Sequence, residues 1–122
     1  MTLTSSNQSI TPITLKRNEK GNLEIGGCDA VSLVEEFGTP LYVIDEATLR
    51  AICADYKKAF AKYPKTRMMY ASKALCTSAI SAILEEEGFG FDTVSGGEIF
   101  TVYNAGVDMT KVLFNGNNKS FD

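Results

Sequence analysis

A chain of 122 residues with 44% apolar and 22% charged residues has the balance of a globular protein and material for one small core. Its net charge of −3 gives no electrostatic footprint for nucleic acid or an anionic membrane surface, and no apolar run reaches the ~18 residues that cross a bilayer. With no histidine and only three well-separated cysteines (Cys28, Cys53, Cys76), the sequence argues against a metal site and a Ser–His triad, and for reduced thiols in the cytoplasm.

Residues 1–11 are polar and lack the charged start and apolar middle of a signal peptide, which predicts a flexible lead. "ITLKRNEKGNLEIGG" (13–27) predicts two short strands around a turn at Glu19–Asn22. "DAVSLVEEFG" (29–38) predicts a short helix capped by Asp29 and ended by Gly38, with Leu33, Val34 and Phe37 on one face. Thr39–Pro40 forbids its continuation.

From there strand and helix alternate. "LYVI" (41–44) is a strand candidate. Asp45 caps a helix with apolar residues at Leu49, Ile52, Cys53, Tyr56, Phe60 and Tyr63, a helical spacing that stops before Pro64. "RMMYASK" (67–73) is the next strand. Thr77 then caps a helix with Ile80, Ile83 and Leu84 inward and Gly88 at its end. "FGFDTV" (89–94) is a strand, Ser95 caps a helix closed by Gly106, and "KVLFNG" (111–116) is a strand. Ser120 would cap one more helix. The alternation predicts βαβ units on a parallel sheet, in a barrel or a doubly wound fold. The last strand leads into a helix start and no further, so the sequence reads as the front of a longer protein.

Active sites of such folds gather at the carboxyl ends of the strands. If 67–73 is extended throughout, Met69, Ala71 and Lys73 share a face and Lys73 is the last residue before the turn. A partly desolvated lysine there could form an imine with a carbonyl compound; it could equally be a solvated strand-end side chain. On the next strand Gly90, Asp92 and Val94 share a face, and the small Gly90 would leave room beside Asp92. Asp92 would hold the lysine's charge, or simply cap a loop. "SGGE" (95–98) has the spacing of a capping box, yet two glycines in a first helical turn cost roughly 1 kcal/mol each. That cost suggests a close approach to the backbone by a cofactor or partner.

"YASKAL", "GFGFDTVSGGE" and "FNGNNKS", preceded by "FGTPLYVID", resemble the N-terminal part of the diaminopimelate decarboxylase family over residues 23–120. The resemblance implies a pyridoxal 5'-phosphate (PLP) enzyme on an alanine-racemase-like (β/α)8 TIM-type barrel, incomplete in this chain. Residues 12–38 would belong with a β domain and 39–122 would be the first βα units of the barrel. Lys73 would carry PLP covalently and, with Asp92, form the catalytic pair; Ser95, Gly96 and Gly97 would join them in binding the cofactor, with Glu98 completing the family's second signature. The full protein would convert meso-2,6-diaminopimelate, its amino-acid substrate, to L-lysine and CO2 as a cytoplasmic homodimer. One departure stands at Asn115, where the family commonly has histidine. The fragment alone is expected to be inactive and prone to aggregate along its open sheet edge. An ornithine- or arginine-type decarboxylase, an amino-acid racemase, a non-catalytic PLP-binding barrel protein and a complete interaction module are the alternative readings.

Overall fold

The structure, a computed structural model, describes residues 10–117 and 119. Most of the expected flexible lead and the expected cap at Ser120 lie outside the described residues. The chain divides between Ile52 and Cys53 into two compact units.

The first unit holds a small antiparallel sheet of β1 (Lys16–Arg17), β2 (Leu23–Ile25) and β3 (Cys28–Asp29), in that order. Asn18 builds the first turn: its Oδ1 accepts from the amides of Lys20 and Asn22, both at 3.0 Å, and Gly21 reverses the chain at φ +82°. Two strands were expected, and the third follows from Gly26 and Gly27. Both have positive φ (58° and 82°), the conformation a two-residue hairpin loop demands.

Asp29 then caps α1 (Ala30–Phe37), its carboxylate accepting from Val31 N at 2.8 Å, and Gly38 ends the helix at φ +78°. The expected apolar face of α1 is not buried: Val34 and Phe37 remain 42% and 63% exposed. The stretch 41–44 forms no strand, contrary to its sequence, because no neighbour among the described residues completes a ladder with it. α2 (Glu46–Phe60) starts at Asp45, whose Oδ2 accepts from the hydroxyls of Thr14 (2.7 Å) and Thr48. Along α2 only Cys53 of the expected apolar stripe is buried.

The second unit carries the parallel sheet. β4 (Met69–Ala71), β5 (Gly90–Thr93) and β6 (Val112–Phe114) lie in sequence order, with Ala71 opposite Asp92 and Asp92 opposite Leu113. α3 (Ser78–Glu86) follows β4 and α4 (Gly96–Asn104) follows β5. Alternation along β5 sends Phe91 and Thr93 fully inside, where Ile80 and Leu84 of α3 and Val102 of α4 are also buried. Burial of each such aliphatic or aromatic side chain contributes about 1.5–3 kcal/mol. Asp92 is left on the opposite side of β5, at the centre of three strands.

Two expectations at this sheet need correction. The strand predicted over 67–73 closes at Ala71, and residues 72–74 form a 3-10 turn, so Lys73 does not continue the alternation. The ladder ends because Ser72, 1% exposed, takes the Asp92 carbonyl with its side chain, Oγ to O at 3.0 Å. Nor does Gly90 leave room on its face. A Cβ there would stand 2.5 Å from Met69 Sδ and 2.7 Å from the Lys111 carbonyl oxygen, so Gly90 is required by close packing.

Candidate functional site

The chemistry-bearing residues gather where β4, β5 and β6 end. Lys73 occupies the middle of the 3-10 turn after β4 and is exposed. The turn is braced on both sides. Before it, Ser72 donates to the Asp92 carbonyl; after it, the Leu75 carbonyl accepts from Tyr70 Oη at 2.9 Å. The Tyr70 ring stands edge-on to Phe91 with centroids 6.3 Å apart, and burial pushes its phenol pKa up. A flexible amine thus projects from a fixed backbone. Among the described residues no hydrogen bond or ion pair engages it.

Asp92, on the neighbouring strand, has its Oδ1 buried without a hydrogen-bond partner among the described residues. A buried carboxylate oxygen without a partner is costly, and such groups concentrate where a ligand supplies the missing contact. The hydroxyl of Thr93, next along, donates to the Leu113 carbonyl at 2.9 Å. Ser72 and Thr93 therefore repeat one device, a buried hydroxyl binding the adjacent strand's end. Sequence reasoning missed both. The signal was the small hydroxyl residue next to each candidate, Lys73 and Asp92.

Ser95 caps α4, its Oγ accepting from Glu98 N at 3.2 Å. Glu98 returns to Val94 N at 2.9 Å, one residue beyond the usual capping-box partner. Gly96 has no atom within 4 Å of where a Cβ would sit, and Gly97 has only Ser95 Oγ at 4.0 Å. The space where these two Cβ atoms would sit is left open by the described residues, so the chain's own packing does not explain the pair. Gly116 differs, because a Cβ there would meet the Val94 carbonyl oxygen at 3.0 Å.

Cys76 lies within reach of Glu98, Sγ to the main-chain oxygen at 3.9 Å. Burial, reinforced by the Glu98 charge, pushes its thiol pKa up, which keeps it protonated and unsuited to nucleophilic work. No group of three or more His, Cys, Asp or Glu residues suited to a metal occurs among the described residues, and no described helix is long and apolar enough to cross a membrane.

A primary amine on a braced turn, a carboxylate oxygen lacking a partner and a bare helix N-terminus suit an aldehyde cofactor bearing polar groups. Comparison with known proteins points to the same chemistry. Residues 46–122 match the family described as pyridoxal-dependent decarboxylase, pyridoxal binding domain. The chain is 48% identical over 126 aligned residues to a diaminopimelate decarboxylase of Synechocystis, covering 95% of this chain and 27% of that protein. It is 50% identical to a diaminopimelate decarboxylase of Methanothermobacter thermautotrophicus, covering 83% and 24%. The crystal structure of the diaminopimelate decarboxylase of M. jannaschii superimposes with a TM-score of 0.77 at 37% identity, over 88% of this chain and 26% of that one. The same enzyme has been solved in complex with L-lysine. The chain spans about a quarter of the length of the curated relatives it matches.

Proposed function

The chain belongs to the pyridoxal-dependent decarboxylases through their pyridoxal-binding domain, and from that premise we propose that it works, within a full-length protein, in the decarboxylation of meso-2,6-diaminopimelate to L-lysine and CO2. Relatives named for that activity, 48% and 50% identical to this chain, support this substrate over those of other amino-acid decarboxylases. The reading gives the three parallel strands the place of the opening βα units of a (β/α)8 barrel. It makes the working protein a cytoplasmic homodimer.

In this reading Lys73 is the covalent attachment point of PLP. When bound, the cofactor supplies an electron sink for the bond broken at the substrate's α-carbon. The chain's own residues do the rest. Lys73 Nζ would hold the cofactor and, at the end of its flexible stem, could carry a proton at the reacting centre. Asp92, one strand away and without an ion pair to Lys73 in this structure, would offer its unpartnered Oδ1 to a positively charged nitrogen and so orient it. The bracing at Ser72 and Tyr70 limits where the lysine stem starts, so the amine searches a small volume rather than the whole surface. The first turn of α4, with Gly96 and Gly97 bare, leaves main-chain N–H groups open to an anionic or polar group, while Ser95 fixes the helix start.

The observation that carries the reading is the orphaned Oδ1 of Asp92, one strand from the turn that bears Lys73. An assay of the full-length protein with PLP and meso-diaminopimelate tests it. Stoichiometric CO2 and L-lysine are expected; turnover of ornithine or arginine with none of diaminopimelate would replace the substrate, and racemisation without CO2 would replace the reaction.

A further inference from the structure

Outside the lysine–aspartate region, the described residue whose surroundings best fit spontaneous chemistry is Asn115. It is the first residue after β6, it is exposed, and it precedes Gly116. Its main chain is held, since Asn115 N donates to the Thr93 carbonyl at 2.7 Å, but its side-chain amide makes no hydrogen bond among the described residues.

The other asparagines among the described residues differ. Asn18 and Asn22 donate through their amides to the Asp29 carboxylate, and Asn104 donates to the Phe100 carbonyl at 2.7 Å. Those three are followed by Glu19, Leu23 and Ala105, whose side chains crowd the next main-chain nitrogen. Asn117 is exposed but is followed by Asn118. Gly116 in turn is held as glycine by the Val94 carbonyl, so the labile Asn–Gly pair cannot be relieved by a larger residue at 116 without a shift.

We infer that Asn115 is a site of spontaneous deamidation and backbone isomerisation. The Gly116 main-chain nitrogen attacks Asn115 Cγ. The N–Cγ bond forms, the Cγ–Nδ2 bond breaks, and the Gly116 amide proton departs with Nδ2 as ammonia. A five-membered cyclic imide results. Water then opens either carbonyl of the ring, leaving aspartate or isoaspartate at 115; one water is consumed and one ammonia released, with no change of oxidation state. Either product adds a negative charge at the end of β6. The isoaspartate form also inserts a methylene into the main chain beside Gly116, where the Val94 carbonyl leaves little slack.

The test is incubation of the full-length protein in mildly alkaline heavy-oxygen water, followed by tryptic digestion in ordinary water and fragment mass spectrometry of the 74–111 and 112–119 peptides. Label incorporated at residue 115, on the order of tenfold faster than at Asn117 or Asn104 because glycine lacks a blocking Cβ, is the expected result. Isoaspartate-specific enzymatic methylation should rise in parallel and be abolished in Asn115→Gln, whose longer side chain disfavours the ring. Label at Asn117 instead, or an Asn115 rate no greater than that of Asn104, would overturn the inference.

Discussion

The Ser72 hydroxyl donates to the main-chain carbonyl of Asp92 across 3.0 Å, which latches the turn that carries Lys73 to the strand that carries the candidate carboxylate. Ser72 is 1% exposed, so its removal leaves a buried acceptor without that donor. Ser72→Ala should cost ~1 kcal/mol by chemical denaturation and loosen the lysine turn, lowering PLP occupancy in the full-length protein. Unchanged stability and unchanged cofactor absorbance would show that the latch has no part in either.

Asp92 should show the opposite signs in stability and activity. Its Oδ1 is buried and unpartnered, so Asp92→Ala is expected to leave stability of the cofactor-free protein unchanged or slightly raised. The same variant should lose roughly a hundredfold or more in turnover if the carboxylate steers charge at the reacting centre. Paired denaturation and kinetic measurements check both halves. A variant that is clearly destabilised yet, where folded, keeps full turnover would invert the assignment and make Asp92 structural.

Gly90→Ala should destabilise by ~1–3 kcal/mol, because the new methyl meets both Met69 and the Lys111 main chain. Combining it with Met69→Ala should recover only part of the loss, since the carbonyl contact at 2.7 Å remains. Full recovery in a double-mutant cycle would mean that the backbone gives way easily.

Gly96→Ala separates helix formation from ligand approach. Nothing lies within 4 Å of the added Cβ, so α4 should gain up to ~1 kcal/mol in thermal or chemical denaturation. If the bare turn admits the cofactor or substrate, the same methyl should weaken PLP or substrate binding severalfold. A variant both more stable and equally tight in binding would leave the glycine pair without a ligand role.

In the first unit, a hydrogen bond from Thr48, joined by Thr14, holds the Asp45 carboxyl below its ordinary value of 3.8, and Asn22 does the same for Asp29. A carboxyl lowered on folding contributes stability that is complete above its unfolded value and is lost as pH falls through the folded one. Acid should therefore weaken these caps only below about pH 3.8. Carboxyl titration by NMR should show Asp45 moving upward in Thr48→Val; no movement would remove the hydroxyl as the cause.

The helices were legible because their signals are local. Asp29, Thr77 and Ser95 cap α1, α3 and α4 through bonds two or three residues away, and Gly38 marks an end by its own φ. The parallel order of β4, β5 and β6 was legible for a related reason, since short βα connections leave few topologies. Strand limits were less so, because a strand ends where its neighbour stops bonding. Residues 41–44 have the composition of a strand and no ladder, and 67–73 loses its last two residues to a side-chain bond from Ser72. Gly90 was misread for the same reason: the space beside it is filled by Met69, one strand away. The site's residue types were visible in sequence, but the bracing by Ser72, Thr93 and Tyr70 rests on contacts between distant positions.

The central claim is that Lys73 is the amine on which the aldehyde cofactor is carried. Borohydride reduction of the full-length protein with PLP, followed by peptide mass mapping, addresses it without recourse to activity. A stable pyridoxyl adduct on Lys73, absent in Lys73→Arg, is the predicted result. An adduct on another lysine, or none at all with the protein folded, would contradict it.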